Sequence, residues 1–436
     1  MSSSSNFQPA RAWGIAWMLA ALQLVNFVDK VVVGLVAIPM MADLGLTPVQ
    51  FGVVAGSVFW LFAVGGVVGG FLANRIQTRW LLLAMAIAWS VVQVPIAATS
   101  SLVIIVIARV LLGLAEGPSA PVAMHSMYKW FPDDKRNLPG ALINVGATLG
   151  VLVAGLGIPF ITSHWGWRAN FWVLALIGLI WAAVWMMFGA EGTIESEAAK
   201  ENPAKSSARV PYARLLTDPT VIGVCVLHFV AYWIVALTLT WLPAYMNKGL
   251  GFEPARAGLL FAMFVFITVP ISFGVSWYSE RRLKAGASSR SARAVTGCIA
   301  LLICGVMMAA PQFLDLGPIQ KVVMFAIAAG LSISIFTLAP SMIAEVTPLP
   351  QRGAMLAIEN AVFGSAAGVL APVVMGKLIE SRRASPMLGY EQGFALSGIL
   401  TIAGGIIGIL ILNPARSKAR IEAAAESAPT GQVRPA

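Results

Sequence analysis

Residues 102–127 read LVIIVIARVLLGLAEGPSAPVAMHSM. A helix needs about 20 mostly apolar residues to cross the hydrocarbon core of a bilayer, and this run exceeds that. It is apolar on all sides instead of alternating, which excludes a barrel strand. Two charges interrupt it, Arg109 and Glu116. Each costs about 2.5–3.5 kcal/mol at the centre of a membrane on insertion scales. Arg109, Gly113 and Glu116 stand at i, i+4 and i+7. At 1.5 Å per residue they share one helical face over about 10 Å. A spanning helix with a base and an acid on one face is the observation from which the rest is read.

Eleven more runs of this kind flank it. They cover 12–38, 51–73, 80–99, 138–162 and 168–189, then 220–246, 256–279, 294–312, 319–345, 353–379 and 391–412. The chain has 436 residues, 58% apolar and 11% charged. A soluble domain is nearer 45–50% apolar and about 25% charged. An ordinary soluble enzyme, a disordered chain and a nucleic-acid-binding module are excluded on that contrast. The start does not read as a cleaved signal peptide: Met1–Ala10 is polar, and the apolar run behind it is long and carries Asp29 and Lys30. The three cysteines, Cys225, Cys298 and Cys304, have no metal-ligand or CxxC spacing, so neither a disulfide framework nor a zinc site is expected.

The net charge of +10 has a membrane explanation. With the N-terminus inside, 20 of the 29 Lys and Arg fall on the cytoplasmic side and 7 on the other, while Lys30 and Arg109 lie inside spans. Basic excess marks cytoplasmic loops. The sequence therefore predicts an all-α membrane protein of about twelve transmembrane helices with both termini cytoplasmic. Residues 1–189 form an N-terminal six-helix bundle, 190–219 a charged cytoplasmic linker, 220–412 a C-terminal six-helix bundle and 413–436 a disordered cytoplasmic tail. The halves repeat: Pro132-x3-Arg136-x7-Asn144 recurs as Pro348-x3-Arg352-x7-Asn360, and Pro39-x8-Pro48-x3-Gly52 as Pro243-x10-Pro254-x3-Gly258. Two homologous bundles suit alternating access around a site near the midplane. Gly65, Gly66, Gly69 and Gly70, and Gly364-x3-Gly368, read as close helix packing. Trp13, Trp17, Trp80, Trp165 and Trp167 read as interface anchors.

Asp29 and Lys30 in the first span join Arg109 and Glu116 as the central buried charges. Asn26 and Lys30 are at i, i+4. Two helices thus each offer a base and an acid to one interior. The structural reading is a pair of salt bridges. The functional reading is an anion site at Lys30 and Arg109, with proton-carrying carboxylates at Asp29 and Glu116. Arginine stays charged and captures a carboxylate with two hydrogen bonds, whereas lysine acts as a point charge. A carboxylate held between burial and two cations can change protonation as a cavity opens and closes.

Over residues 12–412 the chain resembles the major facilitator superfamily. Gly70-Phe-Leu-Ala-Asn74-Arg75-Ile-Gln77-Thr-Arg79 is similar to its G-x3-D-R-x-G-x-R loop, with Asn74 and Gln77 in place of Asp and Gly. Ser279-Glu280-Arg281-Arg282 is the counterpart in the second half. The resemblance implies gating roles for Arg75 and Arg281. Arg109-x3-Gly113-x2-Glu116-Gly117 strongly resembles the fourth span of the anion:cation symporter branch, which holds hexuronate, sugar-acid and phthalate permeases. Asn26-Phe-Val-Asp29-Lys30 is similar to that branch's N-Y-x-D-R. The resemblance implies substrate contact for Lys30 and Arg109 and proton coupling for Asp29 and Glu116. Phe27 and Lys30 depart from the usual Tyr and Arg, which favours a smaller or more apolar carboxylate over a polyhydroxylated one.

In the second half, His228 and Asn360 are candidate substrate-binding residues, as is Asn26 in the first; Glu359 is a further candidate. Glu345 reads as structural, and Ser334, Thr337 and Ser341 as a weak stripe. No P-loop, HExxH or GxSxG motif is present. No enzyme and no cofactor is expected, and the energy source is an ion gradient. The expectation is a monomeric multi-pass transporter of the inner (plasma) membrane, whose partners are a small organic anion, H⁺ and the bilayer. An efflux antiporter, a uniporter, a non-transporting anion sensor and Na⁺ in place of H⁺ stay open at this stage.

Overall fold

The computed structural model describes residues 8–73, 75–132, 135–192, 194, 210–348, 351–382 and 384–426. Among them every regular element is helical. Eleven helices are long and apolar enough to cross a membrane. They are α1 (Pro9–Leu35), α2 (Pro48–Ala73), α3 (Thr78–Ala98), α4 (Leu102–Tyr128), α5 (Leu138–Trp165), α6 (Trp167–Phe188), α7 (Pro219–Thr240), α8 (Pro254–Lys284), α9 (Arg290–Gln312), α10 (Pro318–Val346) and α12 (Pro386–Ile411). The run expected over 353–379 is α11. It is helical in three pieces, Arg352–Ile358, Glu359–Gly364 and Ser365–Ser381, of which the middle one is a π turn.

Two compact units form. The first comprises Met1–Pro203, Ala236–Val265 and Gly368–Gly393. The second comprises Ala204–Val235, Phe266–Ala367 and Phe394–Ala436. These outlines do not follow the two sequence halves: the ends of α7 and α11 and the start of α8 group with the first-half helices.

In the first unit α1 packs along α5, and α3 along α6 and α4. Sequence dictates the start of α2. Thr47 and Gln50 form a capping box, with Gln50 N–H donating to Thr47 Oγ1 (3.3 Å) and Thr47 N–H to Gln50 Oε1 (2.9 Å), and Pro48 opens the helix. Farther along, α2 crosses α4 on glycines. Gly65 abuts the Leu114 backbone and Gly69 the Pro118 ring, while Gly113 and Gly117 abut the carbonyls of Val58 and Phe62. A Cβ at any of the four would lie inside van der Waals contact; of the glycines expected to pack, Gly65 and Gly69 do so, whereas Gly66 stands at ordinary contact distance and Gly70 has nothing within 4 Å.

The same unit has a second glycine seam. Gly34 of α1 backs onto Leu239, Gly52 of α2 onto Pro372, Gly376 of α11 onto Pro48, and Gly155 of α5 onto Gly258 of α8. Trp241 clamps it: its Nε1 donates to the Pro372 carbonyl (2.9 Å) and its ring meets Phe51 edge-on at 4.9 Å.

In the second unit an apolar core joins α7, α9, α10 and the first piece of α11, with Ile409 of α12 packed against it. Residues 413–436 depart from expectation, because Pro414–Glu426 is a helix; residues 427–436 lie outside the described residues. Asn413 Oδ1 caps it by accepting from Arg416 N–H (3.2 Å). Its Ile421 is buried in the core, Arg420 pairs with the buried Asp218, and Ser417 and Thr220 share a hydrogen bond (2.7 Å). Composition rich in Ala, Ser and Pro hid a helix that one isoleucine and one ion pair anchor. The end of the linker is also fixed: Gln351 donates to the Val210 carbonyl (2.6 Å) and accepts from its N–H (2.9 Å).

Candidate functional site

The four central charges lie in the first unit, on α1 and α4. Asp29, Arg109 and Glu116 are buried to within 1–2% of full exclusion, and Lys30 is partly buried. The formal charges cancel, which is the condition for holding them in a low dielectric. Their hydrogen bonding, however, is incomplete. Both Glu116 oxygens lack a hydrogen-bond partner, as does Nη1 of Arg109, whose Nε reaches only the Val54 carbonyl at 3.4 Å. A buried polar group left open costs its full desolvation, so native proteins keep few of them without a role. Glu116 also closes a helical segment, since α4 loosens to a turn at Gly117-Pro118. The C-terminal end of a helix gives a carboxylate charge no help from the macrodipole.

Asp29 is held differently, with one oxygen accepting from Gln93 Nε2 of α3. Asn26 Oδ1 accepts from Ser119 Oγ at 3.3 Å. The Lys30 ammonium lies 4.6 Å from the centroid of the Phe27 ring and 5.2 Å from that of Phe62, within cation–π range of both. Phe27 thus gives Lys30 an apolar, aromatic flank. Gln93, Ser119 and Phe62 were missed by the sequence reading. Gln93 carried a signal, as the sole amide in an otherwise apolar run, 80–99. Nothing in sequence marked Phe62.

His228 lies in the second unit. Its Nδ1 is 2.7 Å from Glu359 Oε1, and both side chains are almost fully buried. The backbone of Asn360 is helical, but its side chain lies outside the described residues. Glu345 pairs with Arg293 (2.7 Å) and accepts from Ser289. Ser334 and Ser341 bond the carbonyls of Leu331 (2.6 Å) and Leu338 (2.7 Å) on their own helix. Between α4 and α5 a cavity of about 300 Å³ is lined by Met124, Met127, Tyr128, Arg136, Gly140, Ala141 and Asn144. Met124 is two turns beyond Glu116, about 12 Å along a helix.

Arg75 is exposed in the turn between α2 and α3, and Asn74 lies outside the described residues. Arg281 lies over the Trp277 ring at 5.3 Å. The group that organises this end of the first unit is Glu191, read in sequence only as the start of the linker. Its Oε2 accepts from Thr78 Oγ1 and the Arg79 N–H (2.9 Å each), and its Oε1 meets Lys129 Nζ at 2.6 Å. Burial pushes the carboxyl up, but Lys129 and the donors at the start of α3 outweigh it and hold it below the usual range. At the other end of α6, Arg168 and Trp167 hold Asp43 below the usual range. Trp167, expected as an interface anchor, is buried and donates to Asp43 (3.2 Å). Trp17, Trp80 and Trp165 are exposed, as interface anchors are.

Membrane-spanning helices on this scale, with charges buried among them, define a multi-pass membrane protein. The Major Facilitator Superfamily matches residues 19–339, and the chain belongs to that family. It is 24% identical over 413 residues to "Sodium-dependent phosphate transport protein 1, chloroplastic" of Arabidopsis thaliana, covering 91% of this chain and 78% of that one. It is 25% identical over 424 residues to a probable sulfoacetate transporter of Cupriavidus necator, covering 92% and 93%. Its fold is similar to the crystal structure of a bacterial homolog to the human lysosomal transporter Spinster, in an inward-facing and occupied conformation. The TM-score is 0.76 at 16% identity, covering 95% of this chain and 98% of that one.

Proposed function

We propose that the protein carries a small organic carboxylate anion inward with protons, by alternating access. Lys30 and Arg109 bind the anion, and Glu116 and Asp29 carry the protons. The observation behind this reading is the unfinished hydrogen bonding of a neutral four-charge cluster: a guanidinium nitrogen and a carboxylate stay open where burial penalises both. An anion entering beside Arg109 completes its donors. It also adds a negative charge, which a proton on Glu116 compensates. Coupling between anion and proton follows from charge balance in a low dielectric.

The aromatic flank of Lys30 favours an anion whose remaining atoms are few or apolar, because Phe27 and Phe62 offer no hydrogen bond to a hydroxyl. Relatives named for phosphate and sulfoacetate transport support an anion as cargo. The excess of Lys and Arg on one side supports cytoplasmic termini.

Counterflow in proteoliposomes tests this, with sulfoacetate, small dicarboxylates, sugar acids and aromatic acids compared with and without an inward proton gradient. The expected result is exchange of a carboxylate whose net uptake follows the gradient, with Glu116→Gln keeping exchange and losing accumulation. Exchange of only neutral or cationic compounds would overturn the anion site.

A further inference from the structure

We propose that His228 and Glu359 form a second proton-binding site, carried entirely by the second unit and separate from Asp29 and Glu116. The proposal rests on the proton-coupled reading above.

Imidazole and carboxylate sit 2.7 Å apart with 1% and 2% of their side chains exposed. The contact ties α7 to α11, yet neither atom completes a well-aligned hydrogen bond. Among the described residues no other ion pair reaches the imidazole or the carboxylate. On α7, the Cys225 thiol is within electrostatic reach of Glu359, and the Tyr232 ring stacks on the imidazole at 6.1 Å. From α10, Phe336 meets the imidazole edge-on at 4.9 Å, and Ser332 donates to the Ala231 carbonyl. From α11 itself, a Cβ on Gly364 would stand 3.5 Å from His228 Nε2. Around them the core is apolar, with Cys298 on α9 and Val230 and Leu227 against glycines of α12. Among the described residues no lysine or arginine forms an ion pair with Glu359.

One proton therefore decides the charge of this pair. With it, the site is net neutral, as imidazolium–carboxylate or as imidazole–carboxylic acid. A second proton converts imidazolium–carboxylate to imidazolium–carboxylic acid and leaves one positive charge; loss of the single proton leaves one negative charge. Either change removes the opposite-charge attraction of the ion-pair form between α7 and α11. The fold supplies slack at that point, because Glu359 opens the π turn Glu359–Gly364. Such turns collect at functional sites, where one extra residue per turn can be taken up or released. Here base and acid already meet inside an aromatic and apolar shell, an arrangement that suits a proton as the ligand.

The test uses the full chain in nanodiscs with isotope-labelled histidine. The chain has three histidines, and His228→Gln assigns the signal. The His228 imidazole signal is followed from pH 5 to 9 in the wild type and is expected to respond to pH. Glu359→Gln should move its midpoint by about one pH unit or more, a tenfold change in proton affinity. Glu359→Asp should restore it, and Asp29→Asn should leave it in place. A His228 signal constant across that range overturns the proposal, and the wild type alone decides this if a variant fails to fold. In proteoliposomes, the protons moved per sulfoacetate should fall by one in Glu359→Gln; an unchanged ratio overturns the coupling role. If wild-type uptake of every anion ignores the proton gradient, the transport reading fails, while the titration still judges the pair.

Discussion

Two regions of this molecule bury acids beside bases, and they do so in opposite ways. On α1 and α4, Asp29, Lys30, Arg109 and Glu116 balance in charge but leave polar atoms open. On α7 and α11, His228 and Glu359 close on each other at 2.7 Å inside an aromatic and apolar shell. Charge balance alone therefore does not distinguish a ligand site from a proton site; direct contact between acid and base inside an apolar shell does. Open donors beside a partly exposed lysine can receive an anion. An acid and a base already in contact are suited to exchanging a proton.

Removing a charge from the open cluster should have the largest effect. Arg109→Ala leaves Asp29 and Glu116 buried with Lys30 as the one remaining cation. Breaking a buried charge network this way costs about 3–5 kcal/mol. We expect a lower unfolding temperature in detergent and no anion exchange. Arg109→Lys keeps the charge but loses the planar fork. Its exchange rate should fall by at least about tenfold, equivalent to about 1.4 kcal/mol, with stability nearly intact. An Arg109→Lys variant that exchanges anions like the wild type would show that the guanidinium is structural.

The glycine seam that brings α4 against α2 comes next. Gly113→Ala would force a Cβ into the Val58 carbonyl, against backbone that cannot move aside cheaply. Overpacking of this kind costs about 1–3 kcal/mol. At Gly364, in the closed region, the nearest atom is in the Tyr232 ring at 3.2 Å, a side chain able to give way. Thermal unfolding of the two alanine variants should rank Gly113→Ala well below Gly364→Ala. A smaller change should follow from Phe27→Tyr. A hydroxyl beside Lys30 should improve discrimination in favour of polyhydroxylated acids by several-fold, within the about 1–3 kcal/mol that one pocket contact is worth. Competition of sugar acids against small carboxylates in counterflow reads this directly.

Much of the open cluster was legible in the sequence, because a bilayer makes each internal charge costly enough to be conspicuous. The same logic exposed the spans and the packing glycines. The closed pair was legible only as two separate residues. His228 and Glu359 lie on different helices, and nothing in either run states that they meet. Gln93 and Asp29 are separated in the same way, as are Glu191 and Lys129. Helix periodicity reports which face a residue occupies, not which helix it faces. The C-terminal helix was hidden for another reason: its anchors, Ile421 and Arg420, are too few to stand out from a polar tail.

The smallest expected effect concerns Glu191, which like the closed pair is an acid beside a base, but at the partly exposed end of the first unit. The Glu191 carboxylate joins Lys129 to the start of α3. Its carboxyl is held below the usual range, so its contribution to stability is full above the unfolded value of about 4.3. That contribution is lost as pH falls through the lower folded value. Solvent screening limits the Lys129 pair to about 1 kcal/mol or less. Glu191→Gln keeps one acceptor oxygen for Thr78 and the Arg79 N–H, and removes the charge and the acceptor that Lys129 uses. Unfolding temperatures of wild type and variant should therefore differ modestly at pH 7, less in high salt, and converge in acid once pH falls below the folded value and the wild-type carboxylate is protonated. A difference that persists unchanged in acid would mean that shape, and not charge, is what Glu191 contributes. Buried His228–Glu359 should respond to salt far less, because a Debye atmosphere does not reach a pair excluded from water.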